Sequence, residues 1–246
     1  MKTRFLLILG LSFLLSSCQC TLIKLFNVQR SALKHKKVFV RGDQSFIYIP
    51  MNHLGRQQYY DEVKAYLEIK RSEGYTIYYE GMYLSRDTIS QQREDTLLLK
   101  RRKLMGFHLT PSYSDKNNHS LPKCYKKYVG QTMENTGIIY GTDVNIDMTT
   151  EEVIEAYEAK YGEIPLNECD FTTPLNTPYK CEQIKGVHPT NLLYRYSHTF
   201  RDEHLENFIK TVKDKKVILI FGRAHWHHGI RSTLIDENFE MIEGKI

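Results

Sequence analysis

The segment Lys216-Val217-Ile218-Leu219-Ile220-Phe221 constrains this chain more than any other. An unbroken apolar run of this length has no polar face to turn to water. It suits a strand buried on both sides, in the middle of an α/β sheet with helices above and below. Strand-like and helix-like segments alternate along the rest of the chain. Residues 37–40 and 46–50 read as two strands with their turn at Gly42-Asp43. Over residues 56–73, Tyr59, Val63, Tyr66 and Leu67 recur at helical spacing, and Gly74 stops the helix. Residues 75–79 are β-branched and aromatic, a strand expected to lie beside the previous one. Strand, helix, strand in this order is a βαβ unit, with a parallel pair and a right-handed crossover.

Residues 86–106 read as a strongly charged helix, and 110–128 as an exposed loop or lid. Thr149-Thr150-Glu151-Glu152 resembles a capping box that opens a helix running to Gly162. Residues 201–213 form an amphipathic pattern before the apolar strand, and a further helix begins near His225. With no repeat and no internal boundary, the expected fold is a single α/β domain over residues 37–246. Its central sheet is largely parallel but mixed, and flanked by helices.

The N-terminus carries a different message. Lys2 and Arg4 precede an apolar run over residues 5–15, too short to cross a bilayer of about 30 Å. Leu15-Ser16-Ser17-Cys18 follows, and resembles a bacterial lipobox. This implies a signal peptide over 1–17, acylation of Cys18 and a basic tether over 18–36. Acyl chains contribute about 0.8 kcal/mol per buried CH₂, so two or more of them hold a chain stably on a bilayer. Gln19 in place of aspartate favours the outer over the inner membrane of a bacterial cell envelope. Net charge is +5, of which Lys2 and Arg4 account for two, and no long basic run asks for nucleic acid. Beyond Cys18, four cysteines remain for an oxidising compartment. Cys169 and Cys181, close together in a Pro- and Thr-rich loop, are the expected disulfide. No CxxC pair suggests a zinc knuckle.

Polar residues stand at the ends of three strands: Asn52-His53 after 46–50, Glu80 after 75–79, and His225 after 217–221. Ligands of open parallel sheets sit at the carboxyl ends of the strands. If the three strands are parallel neighbours, His53, Glu80 and His225 converge there. Such a trio can hold a divalent metal with open positions for water. It can equally act without metal, a histidine serving as general base beside a glutamate.

This arrangement is similar to that of the TraB/TIKI family and, more distantly, of ChaN-like and erythromycin-esterase-like proteins. That family has two Gly-x-x-His motifs separated by a glutamate at a strand end. The second stands here as Gly222-Arg223-Ala224-His225. The first is Pro50-Met51-Asn52-His53, with proline in place of glycine, so the turn presenting His53 is expected to differ. The resemblance covers roughly 37–235, with its matches at the two ends and none over 86–195. It implies a TraB/TIKI/ChaN-like fold and hydrolysis of a peptide or ester bond, assisted by Mn²⁺, Co²⁺ or Zn²⁺. His53, Glu80 and His225 would be metal ligands and catalytic groups. Arg201, Arg223 and His228, which shares a helix face with His225, would contact a peptide or small-molecule substrate. The alternative is a non-catalytic lipoprotein on the same scaffold, capturing haem, metal or a peptide. Trp226 reads as a packing residue and His227 as exposed.

Overall fold

The computed structural model describes residues 31–106, 128–175, 177–182, 184 and 199–244. The described strands are β1 (Lys37–Arg41), β2 (Gln44–Met51), β3 (Leu54–Gly55), β4 (Thr76–Tyr79), β5 (Val129–Gly130), β6 (Val144–Asn145), β7 (Lys216–Gly222) and β8 (Glu240–Glu243). The described α-helices are α1 (Gln57–Ser72), α2 (Gln91–Met105), α3 (Met133–Thr136), α4 (Thr150–Tyr161), α5 (Glu168–Thr172), α6 (Phe200–Thr211) and α7 (Arg231–Asp236). A π-helical turn, Trp226–Ile230, precedes α7.

Six strands form one sheet in the order β6-β4-β7-β2-β1-β8. β7 lies parallel to β2 on one side and to β4 on the other, and β6 extends the parallel part. β1 and β8 close the opposite edge antiparallel. The fold is thus a single α/β domain with a mixed, mostly parallel sheet flanked by helices. Alternation along β7 explains its central place. Val217, Leu219 and Phe221 enter one core with Leu205, Ile209, Trp226 and Leu234; Ile218 and Ile220 enter another with Ile49, Tyr59, Val63 and Leu67. Each such side chain contributes roughly 1.5–3 kcal/mol only when removed from water, so a strand apolar on both faces belongs between two neighbours.

That placement corrects one expectation. β4 does not lie beside β2, because β7 is inserted between them. The crossover through α1 still leaves β2 and β4 parallel, one strand apart.

Pro50 in an interior strand has a local explanation. Met51 O accepts from the Arg223 amide, so the polar groups of Pro50 face away from β7. On that side the β1 ladder has already ended at Tyr48, and the Tyr59 hydroxyl donates to Pro50 O instead (3.2 Å). No ladder bond is asked of the missing N–H.

Helix ends follow the sequence closely. The Thr149/Glu152 capping box opens α4, while Gly74, with φ +83°, ends α1. The charged segment after residue 86 becomes helical only from Gln91, behind the Ser90 cap. Its basic residues do not all face water. Lys103 Nζ pairs with Asp170 at 2.6 Å, and the Arg102 guanidinium donates to the carbonyls of Asp170, Thr173 and Pro174. These bonds tie α2 to the segment closed by the Cys169–Cys181 disulfide, the pairing expected from sequence. A third core, containing Leu97, Leu104, Val153, Ile154, Tyr157 and Phe200, joins α2, α4 and α6. The expected signal peptide, Cys18, most of the tether and the loop over 110–128 up to residue 127 lie outside the described residues.

Candidate functional site

β4, β7 and β2 are parallel neighbours, so their carboxyl ends share one edge of the sheet. Glu80 follows β4 there, and its amide donates to Ile220 O of β7 (2.9 Å). Its carboxylate is held at both oxygens: Oε1 accepts from Arg201 Nη2 (2.5 Å) and Oε2 from the Gly222 amide (2.5 Å). A Cβ on Gly222 would stand 3.0 Å from Glu80 Oε2, so the motif glycine provides room for the carboxylate.

Arg201 reaches this edge from the first turn of α6. Its Nε and Nη2 donate in a fork to Asp147 Oδ1 and Oδ2, both at 2.7 Å, while Nη2 also serves Glu80. The next residue, Asp202, lies about 100° further round the helix, and its Oδ1 meets His225 Nδ1 at 2.5 Å. His225 Nε2 stands 3.6 Å from Glu80 Oε1. The result is a buried chain of charges, Asp147–Arg201–Glu80–His225–Asp202, in which no side chain is more than 11% exposed.

Burial and pairing oppose each other along the chain. Burial raises the Glu80 carboxyl, but Arg201, His225 and His53 together bring it well below the ordinary range. Burial disfavours the His225 imidazolium, yet Asp202 and Glu80 raise its pKa to about 9. Asp147 moves the other way: burial raises it more than the Arg201 fork lowers it. Arg201 itself is held more firmly protonated, its own burial offset by Glu80 and Asp147. At neutral pH the site therefore holds an imidazolium against a carboxylate.

Of the expected trio His53, Glu80 and His225, the structure brings together Glu80 and His225, with Arg201 beside them. His53 is exposed at the rim, near enough to act electrostatically on Glu80. Its turn is pinned by aromatic hydroxyls. Tyr59 OH accepts from the Asn52 amide (3.1 Å) and Tyr60 OH donates to Asn52 O (2.9 Å). Arg223 is exposed, as is His227, and Trp226 is buried. The His228 side chain lies outside the described residues. Asp147 and Asp202 have no counterpart in the sequence reading as members of the site. Asp202 carried a faint signal, a carboxylate beside Arg201 in a helix's first turn. Asp147, just before a capping box, looked like a turn residue.

The donor set does not fit the expected divalent metal. Glu80 Oε1 is held by the Arg201 guanidinium, whose positive charge a metal ion would have to approach. Among the described residues no group of three or more His, Cys, Asp or Glu is arranged to hold a metal.

Among the described residues no helix is long and apolar enough to cross a membrane. No family model, curated protein or solved structure matches this chain.

Proposed function

We propose that this protein hydrolyses a peptide or ester bond without metal, at the Glu80–His225 pair, while anchored to a bacterial membrane through lipid on Cys18. The observation that carries the reading is the buried carboxylate–imidazolium pair at the carboxyl ends of adjacent parallel strands, braced on both sides by Arg201 and Asp202. Burying five ionisable side chains is costly, and apolar residues would fill the space at least as stably. Clusters of this kind concentrate where acid–base work is done. The Gly-x-x-His motif and its likeness to the TraB/TIKI family support the same reaction class.

In this reading a water molecule attacks the carbonyl carbon and Glu80 takes its proton. His225 Nε2 then gives a proton to the leaving oxygen or nitrogen as the carbon–heteroatom bond breaks. Asp202 keeps the imidazole in register through Nδ1–H, in the manner of an orienting carboxylate. The 3.6 Å between Glu80 and His225 lets the proton on Glu80 return to the ring and restores the starting state. His53 stands at the rim, where it meets substrate.

A panel of peptide and ester substrates, tested with and without Mn²⁺, Co²⁺ or Zn²⁺, checks this. Glu80→Gln is expected to lower the rate at least about 100-fold, with no rescue by any of the metals. Equal rates for wild type and variant would leave the capture of a ligand as the function; a rate dependent on added metal would restore the metallohydrolase. The anchor is tested separately. Labelled palmitate should enter the wild-type chain in a bacterial host and be absent from Cys18→Ser, and label in both or in neither rules the lipid anchor out.

A further inference from the structure

The third strand at this edge, β2, bears on the site through Tyr48. This residue is fully buried and shares a core with Leu219, Phe221 and Trp226. It stands opposite Leu219 in the parallel register, and its ring carries the hydroxyl forward to the end of β7. There the hydroxyl lies 3.0 Å from Gly222 O and 3.4 Å from Phe221 O, donating to the carbonyls on either side of the Gly222 amide. That amide is the one that holds Glu80 Oε2.

The face of the same ring stacks on Trp226, with centroids 5.3 Å apart and planes 12° apart. Trp226 follows His225 directly, and its amide closes the turn back onto Arg223 O at 3.3 Å. The turn that presents His225 is therefore held by Tyr48 at both ends, at Gly222 by a hydrogen bond and at Trp226 by a stacked ring. A phenylalanine would fill this place in the core equally well. The hydroxyl adds a desolvation cost, which the two carbonyls offset. Burial and the charge of Glu80 both push the phenol well above its ordinary range, so it remains a donor. A donor to Phe221 O also polarises the Phe221–Gly222 peptide, which strengthens the Gly222 N–H toward the Glu80 carboxylate.

We propose that Tyr48 is a positioning residue of this site, setting the 3.6 Å separation across which Glu80 and His225 exchange a proton. Its hydroxyl acts on Glu80 through Gly222, and its ring acts on His225 through Trp226. The purpose of the arrangement rests on the hydrolytic reading; the arrangement itself does not.

Tyr48→Phe removes one oxygen and keeps the ring. Trp226 is the sole tryptophan of the chain, so unchanged emission shows that the stack is intact. In the full chain, held in detergent, Tyr48→Phe is expected to lower kcat about 10- to 100-fold on the fastest member of the peptide and ester panel. KM should stay where it is, because a side chain with 0% exposure meets no substrate. A second readout needs no activity. The Gly222 amide proton, drawn toward a carboxylate, should resonate far downfield, and Glu80→Gln identifies it by moving it upfield. Tyr48→Phe should move it the same way and speed its exchange with solvent about 10-fold. Tyr48→p-aminophenylalanine keeps a donor on the ring and should return both kcat and the resonance most of the way. An aromatic amine is the weaker donor, so a residual upfield shift should persist, and that shift carries the test if Tyr48→Phe fails to fold. An unmoved Gly222 resonance, or a raised KM with kcat intact, overturns the proposal. A moved resonance in a chain that hydrolyses no member of the panel upholds the Tyr48 support and overturns the hydrolytic reading, so the two failures are told apart.

Discussion

Arg201→Met is expected to destabilise the protein by about 3–5 kcal/mol, the cost of breaking a buried ion pair by removing one partner. The Arg201 side chain is 9% exposed and serves two carboxylates, Glu80 at 11% and Asp147 at 1%. Methionine fills much of the arginine stem's volume, so the loss is electrostatic rather than a cavity. Without the guanidinium, two carboxylates remain near each other where water cannot screen them. Urea unfolding reads the effect as a fall in the midpoint with the slope unchanged. Neutralising the orphaned groups, in Arg201→Met/Glu80→Gln/Asp147→Asn, should recover most of the loss, and failure to do so would mean that the cluster acts by packing rather than charge. The exposed pair Lys215–Asp43 is the control; with both side chains 73% exposed, Lys215→Ala should leave the midpoint where it is.

The second large effect is on the pH dependence of stability. Burial works against the His225 imidazolium, but Asp202 and Glu80 raise its pKa to about 9 in the fold, against 6.5 ordinarily. A raised pKa means that the folded state holds its proton more tightly. Below pH 6.5 both states are protonated and the contribution is complete. As pH rises from there, the unfolded histidine loses its proton while the folded one keeps it, so stability declines until the folded group also titrates near 9. At 1.36 kcal/mol per pKa unit, the decline is roughly 3 kcal/mol. Urea midpoints measured at intervals from pH 6 to 9.5 should fall for the wild type and stay nearly level for His225→Gln. Parallel curves would mean that His225 is not held as an imidazolium. If His225 is the acid of the reaction, hydrolysis fades over the upper part of the same window.

Both effects depend on residues that the sequence makes visible to different degrees. Glu80, His225 and Arg201 stand out because each sits at the end or start of an element whose period is legible, and because Gly222 and His225 fit a Gly-x-x-His spacing. Asp202 and Asp147 are not legible in that way. An aspartate in a first helical turn or before a threonine cap has a local reason to be there, and nothing along the chain distinguishes it from one that meets an arginine 54 residues away. The buried lysine and arginine of α2 were hidden for the same reason: Lys103 reads as solvated until Asp170, 67 residues on, comes within 2.6 Å.

By itself the sequence determined the elements: the two-faced burial of β7, the amphipathic faces of α1 and α6, the caps of α4, the glycine stops and the disulfide. These follow from side-chain period, backbone freedom and capping, which act over a few residues. Only the tertiary structure decided that β7 enters between β2 and β4, and that Glu80 and His225 therefore stand side by side with Arg201 and Asp202 braced behind them. Strand order and charge pairing depend on which distant groups meet once the core has excluded water, and an interaction that gains its strength from that exclusion leaves no periodic trace in the chain.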